Sequence, residues 1–264
     1  MRLLTFADLH LGARKSSTAA DIAALTDLQA LIAAAKPDIV INCGDTVSKD
    51  SSLRDLSKKM DYWEQYKEFT ASLACPVIET CLARERTLFS KIFNTEAEYV
   101  VVKDDVALIS FNPLKHGDHT MTPEQLEWFS ATVEQLAGKV MIFISHVPVA
   151  QTTVTRQVVP GMYLTQSEWL KQLAQTHAKY AVFIGGHFHS PPELPRAAAN
   201  ILMLMAGCFS PNKVNSMNAI SPGKNRPYFR TIELKEQSIT VHTHNAALND
   251  ILPVYYKNIK GIFV

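Results

Sequence analysis

The sequence has little of what would assign it to several common protein classes. Its net charge is only +1, so the balance of charge gives no reason to expect a polyanion or an anionic membrane surface as a partner. Its four cysteines show no CxxC or framework spacing, which is typical of reduced thiols in the cytoplasm. No apolar stretch reaches the length of a transmembrane helix, and the apolar run at residues 1–7 is too short for a signal peptide. We therefore expect a cytoplasmic protein without a membrane partner.

The 264 residues also contain no internal repeat and no Gly/Ser-rich or Pro-rich linker, so we expect a single domain over residues 1–264. Apolar runs typical of strands alternate with stretches typical of helices. The predicted strands cover residues 2–7, 38–42, 76–78, 99–102, 106–111, 140–145, 180–184, 201–205, 228–234 and 238–244. The predicted helices cover residues 21–35, 53–73, 122–137 and 166–175, and the third begins with a capping box, Thr-Pro-Glu-Gln. This order predicts an α/β fold with a second, partly antiparallel sheet packed on the first.

Acidic residues and histidines follow the predicted strands at the points where those strands end. Asp8 and His10 follow the first strand, Asp45 follows the second, His146 follows the strand at 140–145, and His187 and His189 follow the strand at 180–184. Ligand-binding residues of layered α/β folds lie just beyond the carboxyl ends of the strands. Carboxylates mixed with imidazoles are donors that suit Mn, Fe, Zn or Ni. The pattern therefore predicts a divalent metal site.

Each of these residues also has an ordinary structural interpretation. Asp8 can cap a helix beside a surface His10, Gly44-Asp45 can be a simple turn, and His146 can be a buried histidine with satisfied hydrogen bonds. Only their joint occurrence after separate strands favours the metal site. His116 and His119 lie in a predicted loop that could cover the site, although exposure is the ordinary state of loop histidines.

The order of these motifs resembles that of the calcineurin-like metallophosphoesterase superfamily, which carries Asp-x-His, Gly-Asp, a histidine before proline, and Gly-His-x-His. Residues 122–128 also resemble a helix of its class III cyclic nucleotide phosphodiesterase branch. The resemblance implies a two-sheet β-sandwich flanked by helices and one or two divalent metals per chain. It implies that Asp8, His10, Asp45 and His189 hold one metal, and that Asp45, His146 and His187 hold the second.

One motif of that superfamily is altered in this chain. Where Gly-Asn-His-Asp or Gly-Asn-His-Glu is expected, the sequence reads Leu82-Ala83-Arg84-Glu85. Alanine cannot ligate a metal, and arginine cannot exchange a proton near neutral pH. Arg84 could replace the histidine electrostatically, as a catalytic residue beside Asp45, or it could belong to a solvated charged turn. Glu79, Cys81 or Glu85 could fill the vacant ligand position, or the site could bind without turnover.

The resemblance implies that the protein is an enzyme, a hydrolase of phosphate esters. We expect a phosphodiesterase that acts on a small nucleotide-like or cyclic diester by attack of a metal-bound hydroxide, with His116 and His119 contacting the substrate. Two alternatives stay open. A DNA nuclease of the repair type shares the opening at residues 7–12, although the near-neutral charge does not favour nucleic acid. A degenerate protein would keep a phosphate pocket without catalysis.

Overall fold

The structure is a computed structural model that describes residues 1–13, 18–48, 56–82, 85–113, 119–149, 163–189, 195–209, 227–236, 238–245 and 255–258. The chain divides into two compact units. The first unit comprises Met1–Glu79, Phe188–Pro192 and Ala206–Tyr256, and the second comprises Thr80–His187, Glu193–Met205 and Lys257–Val264. The expectation of a single domain over residues 1–264 stays a prediction.

The first unit contains a six-stranded mixed sheet in the order β12-β11-β10-β1-β2-β3. Its strands are β1 (Arg2–Phe6), β2 (Ile39–Asn42), β3 (Val77–Glu79), β10 (Tyr228–Lys235), β11 (Ser238–Asn245) and β12 (Tyr255–Asn258). Strands β1, β2 and β3 are parallel, while β10 runs antiparallel to both β1 and β11. Because β1 and β2 are parallel neighbours, the residues that follow them emerge at the same edge of the sheet. Helices α1 (Thr18–Ala35) and α2 (Leu56–Ala71) lie in the connections between these parallel strands.

The second unit contains another six-stranded mixed sheet in the order β4-β5-β6-β7-β9-β8. Its strands are β4 (Tyr99–Lys103), β5 (Val106–Ser110), β6 (Val140–Ser145), β7 (Tyr180–Gly185), β8 (Arg196–Ala198) and β9 (Ile201–Met205). Its helices are α3 (Arg86–Phe93), α4 (Pro123–Gln135) and α5 (Ser167–His177). Strands β5, β6 and β7 are parallel and buried along their whole length, as their continuous apolar sequences predict. The aromatic rings of Phe111, Phe129, Phe143 and Phe183 pack in the core of this unit.

Helix α1 is longer than predicted from the sequence. It is 18 residues long with a mean hydropathy of 1.3, so by length and composition alone it meets the criterion for a membrane-spanning helix. This finding corrects the expectation that no apolar stretch reaches that length. The buried apolar residues of α1 are Leu25, Leu28 and Ile32, which share one helical face, and Gln29 on this helix donates to Ser72. Because a packed helix of a soluble protein passes the same test, the criterion does not assign α1 to a membrane.

The predicted capping box at the start of α4 is confirmed. The Thr122 hydroxyl accepts a hydrogen bond from the Gln125 backbone N–H at 3.3 Å, and the Gln125 side chain accepts one from the Thr122 N–H at 3.2 Å. The side-chain amide of Gln125 also donates to Glu98 and to the carbonyl of Asn112. The cap therefore ties the start of α4 to the chain that follows β5.

We predict that Thr122→Ala lowers the free energy of unfolding by about 1 kcal/mol, because it removes the side-chain acceptor at the N-cap. The matched control is Thr132→Ala, the same chemical change inside α4, where alanine is the better helix former and should cost nothing. Urea denaturation of both variants measures the difference. Equal destabilisation by the two changes would contradict the capping role.

Candidate metal centre

Two loops of the first unit run side by side after β1 and β2, and backbone hydrogen bonds join them. The N–H of Asp8 donates to the carbonyl of Gly44 at 2.9 Å, the N–H of His10 donates to Asp45 at 3.0 Å, and the N–H of Leu11 donates to Thr46 at 2.9 Å. These bonds continue the parallel pairing of the two strands beyond their ends. They fix Asp8, His10 and Asp45 next to one another.

Six of the predicted site residues have positive φ angles, which side-chain-bearing residues rarely adopt, and four of them belong to the first unit. The φ angles are 57° at Asp8, 52° at His10, 54° at Asp45 and 47° at His189. Such conformations cost free energy and persist only where the surrounding structure holds them. Residues in such conformations cluster at functional sites. The concentration of four at one place indicates that the backbone is shaped to aim these side chains.

The side chains of Asp8, His10, Asp45 and His189 converge. The Nε2 atoms of His10 and His189 lie 2.8 Å apart, and the His189 Nε2 lies 3.2 Å from a carboxylate oxygen of Asp8. The His10 Nε2 lies 3.5 Å from Asp45 Oδ2 and 3.9 Å from Asp8 Oδ1. Asp8 and His10 are each 2% exposed, Asp45 is 7% exposed, and the His189 side chain is 12% exposed. Two carboxylates and two imidazoles thus share one nearly dry space.

This group of four fits a metal ion. Each residue offers one ligand atom, and these atoms all lie within 4.8 Å of one another. Ligand atoms bonded to one ion at about 2.0–2.2 Å are separated by a few ångströms, so the spacing suits a single cation. Two buried carboxylates that approach each other are unfavourable without a compensating positive charge. The cluster can therefore hold a divalent metal ion, while the individual ligand roles of its members stay predictions.

A second group of histidines lies in the second unit. His146 follows β6 and His187 follows β7, and their ring centroids are 5.2 Å apart. The centroid of the His119 ring lies 5.4 Å from that of the His187 ring. The backbone holds this group in place, because the carbonyl of His146 accepts from Gly186 N–H at 3.0 Å and that of His119 accepts from Thr165 N–H at 3.1 Å. The resemblance implied His146 and His187 as ligands, and the sequence predicted His119 as a substrate contact on a loop that covers the site, without placing it beside His187.

Glu79, a predicted alternative ligand, takes part in a different set of contacts. Its two carboxylate oxygens accept hydrogen bonds from the Tyr66 hydroxyl at 2.7 Å and from the Asn42 side-chain amide at 3.0 Å. Burial raises the pKa of Glu79 to about 7, although both hydrogen bonds act to lower it. Glu79 does not belong to the four-residue cluster.

The remaining site predictions lie elsewhere or outside the described residues. The Cys81 thiol is buried and donates to the carbonyl of Leu82, and Glu85 is the residue before α3. Neither belongs to the four-residue cluster. Ala83, Arg84 and His116 fall outside the described residues.

Asn112 is a site residue that sequence reasoning missed. Its side-chain oxygen accepts hydrogen bonds from the Ser145 hydroxyl and the His146 backbone N–H, both at 3.0 Å, and its amide donates to the carbonyl of Cys81 at 2.5 Å. It therefore ties the segment that bears His146 to the segment that follows β3. A signal was present, because Asn112 follows a strand end just as Asp8 and Asp45 do.

No protein-family model matches the sequence, and no curated protein matches it either. Solved structures do match its fold. A dimetal phosphatase from Danio rerio has a TM-score of 0.70 at 10% identity, with 98% of this chain and 99% of that chain covered. A purple acid phosphatase from yellow lupin (Lupinus luteus) has a TM-score of 0.66 at 12% identity, with 98% of this chain covered and 53% of that one. GAP50, described as the anchor in the inner membrane complex of Plasmodium, has a TM-score of 0.59 at 12% identity, with 98% of this chain covered and 88% of that one.

These similarities confirm the predicted fold class, an α/β fold with two mixed sheets and flanking helices. The resemblance to the calcineurin-like metallophosphoesterases is confirmed at the level of the fold. The closer likeness to the cyclic nucleotide phosphodiesterase branch is not specifically supported. At 10–12% identity the similar structures establish the fold and leave the substrate open.

We predict that Mn²⁺ or Zn²⁺ stabilises the protein through the four-residue cluster. At a cation concentration a hundred times the dissociation constant, linkage gives about 2.7 kcal/mol of added stability. Asp8→Asn should abolish most of this gain, because it removes one anionic donor from the cluster. Asp61→Asn, an exposed carboxylate on α2, is the matched control and should retain the full gain. Thermal unfolding with and without cation measures both, and an undiminished gain in Asp8→Asn would contradict the assignment.

We also predict a pH dependence of stability that originates at Glu79. Because the folded protein holds this carboxyl group with a pKa of about 7 rather than the ordinary 4.5, the folded state binds its proton more tightly than the unfolded state. The raised pKa contributes on the order of 3 kcal/mol to the free energy of unfolding. This contribution is fully present below about pH 4.5 and is lost as the pH rises to about 7.

Glu79→Gln cannot titrate, so its free energy of unfolding should fall less than that of the wild-type protein over this range. Urea denaturation in the presence of a chelator, at several pH values between about 4.5 and 8, measures the difference. A constant difference between the two proteins across the range would contradict the raised pKa.

Proposed function

We propose that this protein is an enzyme that hydrolyses phosphate esters with the help of divalent metal ions. The observation that carries the proposal is the buried cluster of Asp8, His10, Asp45 and His189. The fold supports it, because two solved structures of similar fold are phosphatases, one of them a dimetal phosphatase. When bound, a divalent cation such as Mn, Fe, Zn or Ni acts as a Lewis acid toward a phosphoryl oxygen and lowers the pKa of water at the site.

The side chains of the cluster have distinct tasks in this proposal. Asp8 and Asp45 supply the negative charge that attracts a cation and that a nearly dry site cannot leave uncompensated. His10 and His189 supply neutral imidazole donors, and the ring nitrogen that binds the metal must carry no proton. Burial of these groups excludes bulk water, which strengthens every electrostatic interaction within the site.

We propose that a second cation binds at His146 and His187 and that it is held more weakly than the first. The close rings of His146 and His187 support this part of the proposal. The weaker binding follows from Ala83, because alanine has no donor atom at the position where the similar motif carries asparagine. We propose that His116 and His119 contact the phosphoryl group of the substrate. The position of the His119 ring beside that of His187 supports this role for His119.

The altered motif also bears on the substrate. Arg84 can donate two parallel hydrogen bonds to phosphoryl oxygens but cannot deliver a proton to a leaving group. We therefore propose a phosphodiesterase that acts on a small nucleotide-like or cyclic diester, in which the departing oxygen leaves readily. We propose a cytoplasmic setting, because the four cysteines, all of them described, form no disulfide.

A binding role without catalysis is the second candidate. It is favoured by the alanine at position 83, which removes a ligand, and one solved structure of similar fold is described as an anchor. A binding protein would hold at most one tight cation and would release no product from any ester.

We predict that the protein purified with Mn²⁺ hydrolyses an activated diester such as bis-p-nitrophenyl phosphate, and that Asp45→Asn loses at least about a hundredfold in kcat/KM. Elemental analysis of the same samples gives the metal content, and a panel of monoesters, cyclic nucleotides and single-stranded DNA distinguishes the substrate classes. His177→Ala at the end of α5, outside the cluster, is the control and should retain the wild-type rate. Metal-loaded protein that releases nothing from any ester, just as Asp45→Asn does, would favour the binding role instead.

A further inference from the structure

A buried carboxylate of the first unit is connected by hydrogen bonds to the turn that bears Asp45. Glu79 at the end of β3 is 6% exposed, and it contacts two residues that are fully buried, Asn42 at the end of β2 and Tyr66 on α2. The Tyr66 hydroxyl donates to one carboxylate oxygen and the Asn42 amide donates to the other. Because a buried charge is costly unless hydrogen bonds compensate it, these two contacts are needed wherever Glu79 is ionised.

Asn42 connects Glu79 to the turn that bears Asp45. The side-chain oxygen of Asn42 accepts a hydrogen bond from the Gly44 N–H at 3.0 Å, and its side-chain nitrogen lies 2.7 Å from the Thr46 hydroxyl oxygen. Gly44 and Thr46 flank Asp45 on both sides. The orientation of the Asn42 amide therefore sets the position of the turn, and a flipped amide would present the wrong group to Gly44.

Glu79 and Tyr66, together with Thr46, determine that orientation. The Asn42 nitrogen has two hydrogens and faces three oxygens, those of Thr46, Tyr66 and Glu79, at 2.7, 2.7 and 3.0 Å. Because these three oxygens can accept hydrogen bonds, the Asn42 amide nitrogen points toward them and the amide oxygen points toward the Gly44 N–H. A group with no acceptor at position 79 would remove the anionic member of this set.

The Asp45 turn needs such support. The φ angles of Gly44 and Asp45 are 88° and 54°, two successive left-handed residues, and the second of them bears a side chain. The carbonyls of the turn are held by the N–H groups of residues 8, 10 and 11, whereas the N–H of Gly44 is held by Asn42. The two sets of contacts hold the Asp45 turn through different backbone groups.

We infer that Glu79 is a positioning residue, which acts through Asn42 to hold Asp45 in the geometry that binds the cation. The inference rests on the proposed function, because it assigns Glu79 a part in the same metal centre. Residues that orient metal ligands without touching the metal typically change metal affinity by about 10- to 100-fold when they are replaced.

The test compares cation affinity in Glu79→Leu and Glu79→Gln, by calorimetry with Mn²⁺ and by the visible absorption spectrum of the Co²⁺-loaded protein. Glu79→Leu should weaken binding by about 10- to 100-fold and shift the Co²⁺ bands, since the amide of Asn42 loses an acceptor. Glu79→Gln keeps an oxygen that can accept from Asn42, so it should restore binding to within a few-fold of the wild type. Tyr66→Phe removes only the hydroxyl that contacts Asn42 and Glu79, and it should weaken cation binding severalfold. This variant replaces Glu79→Leu in the test if Glu79→Leu does not fold.

Leu28→Ala is the control for a purely structural effect, because this residue is fully buried on α1 and lies outside the set of contacts. It should lower the thermal stability while leaving the affinity and the Co²⁺ spectrum unchanged. Wild-type affinity and spectrum in Glu79→Leu and Tyr66→Phe, or equal effects of Leu28→Ala, would overturn the role of Glu79 and leave the proposed function intact. Wild-type protein that binds no cation would overturn the proposed function itself.

Discussion

The hydrogen bonds between residues 8–11 and 44–46 are the interaction on which the candidate metal centre depends. They extend the parallel pairing of β1 and β2 past the ends of those strands, so that Asp8, His10 and Asp45 are fixed by the backbone. They also help to hold the left-handed conformations of these residues. Burial then leaves the carboxylates with few ways to compensate their charge, which is why a cation is the natural complement of this site.

Much of the candidate centre could be predicted from the sequence, because it follows from where strands end. Asp8 and Asp45 each come soon after a short apolar strand, and because β1 and β2 are parallel neighbours the ends of these strands bring the two residues together. His189 follows β7 of the other sheet, and its Gly-His-x-His motif was the signal that predicted it. The capping box of α4 could also be predicted, because its sequence pattern lies within four consecutive residues. Asn112 also follows a strand end, but it was missed because only acidic residues and histidines were considered there. Its side chain instead accepts a hydrogen bond from the backbone of His146.

Other features could not be predicted, because they depend on contacts distant in sequence. Glu79 lies on β3 and contacts Asn42 of β2 and Tyr66 of α2. The sequence suggested Glu79 only as an alternative metal ligand, because these contacts join residues that are 13 to 37 positions apart. The place of His119 beside His187 depends on its backbone contact with Thr165. Helix α3 was not predicted because it is only eight residues long, and the length of α1 was underestimated because its first turn has no strong apolar signal.

A crystal structure of the protein grown with Mn²⁺, with anomalous diffraction data, tests the central claim most directly. We predict an anomalous peak within bonding distance of the side chains of Asp8, His10, Asp45 and His189, at roughly 2.0–2.3 Å from their oxygen and nitrogen atoms. The absence of a peak among these four side chains, with well-defined density for all of them, would contradict a metal centre at this site.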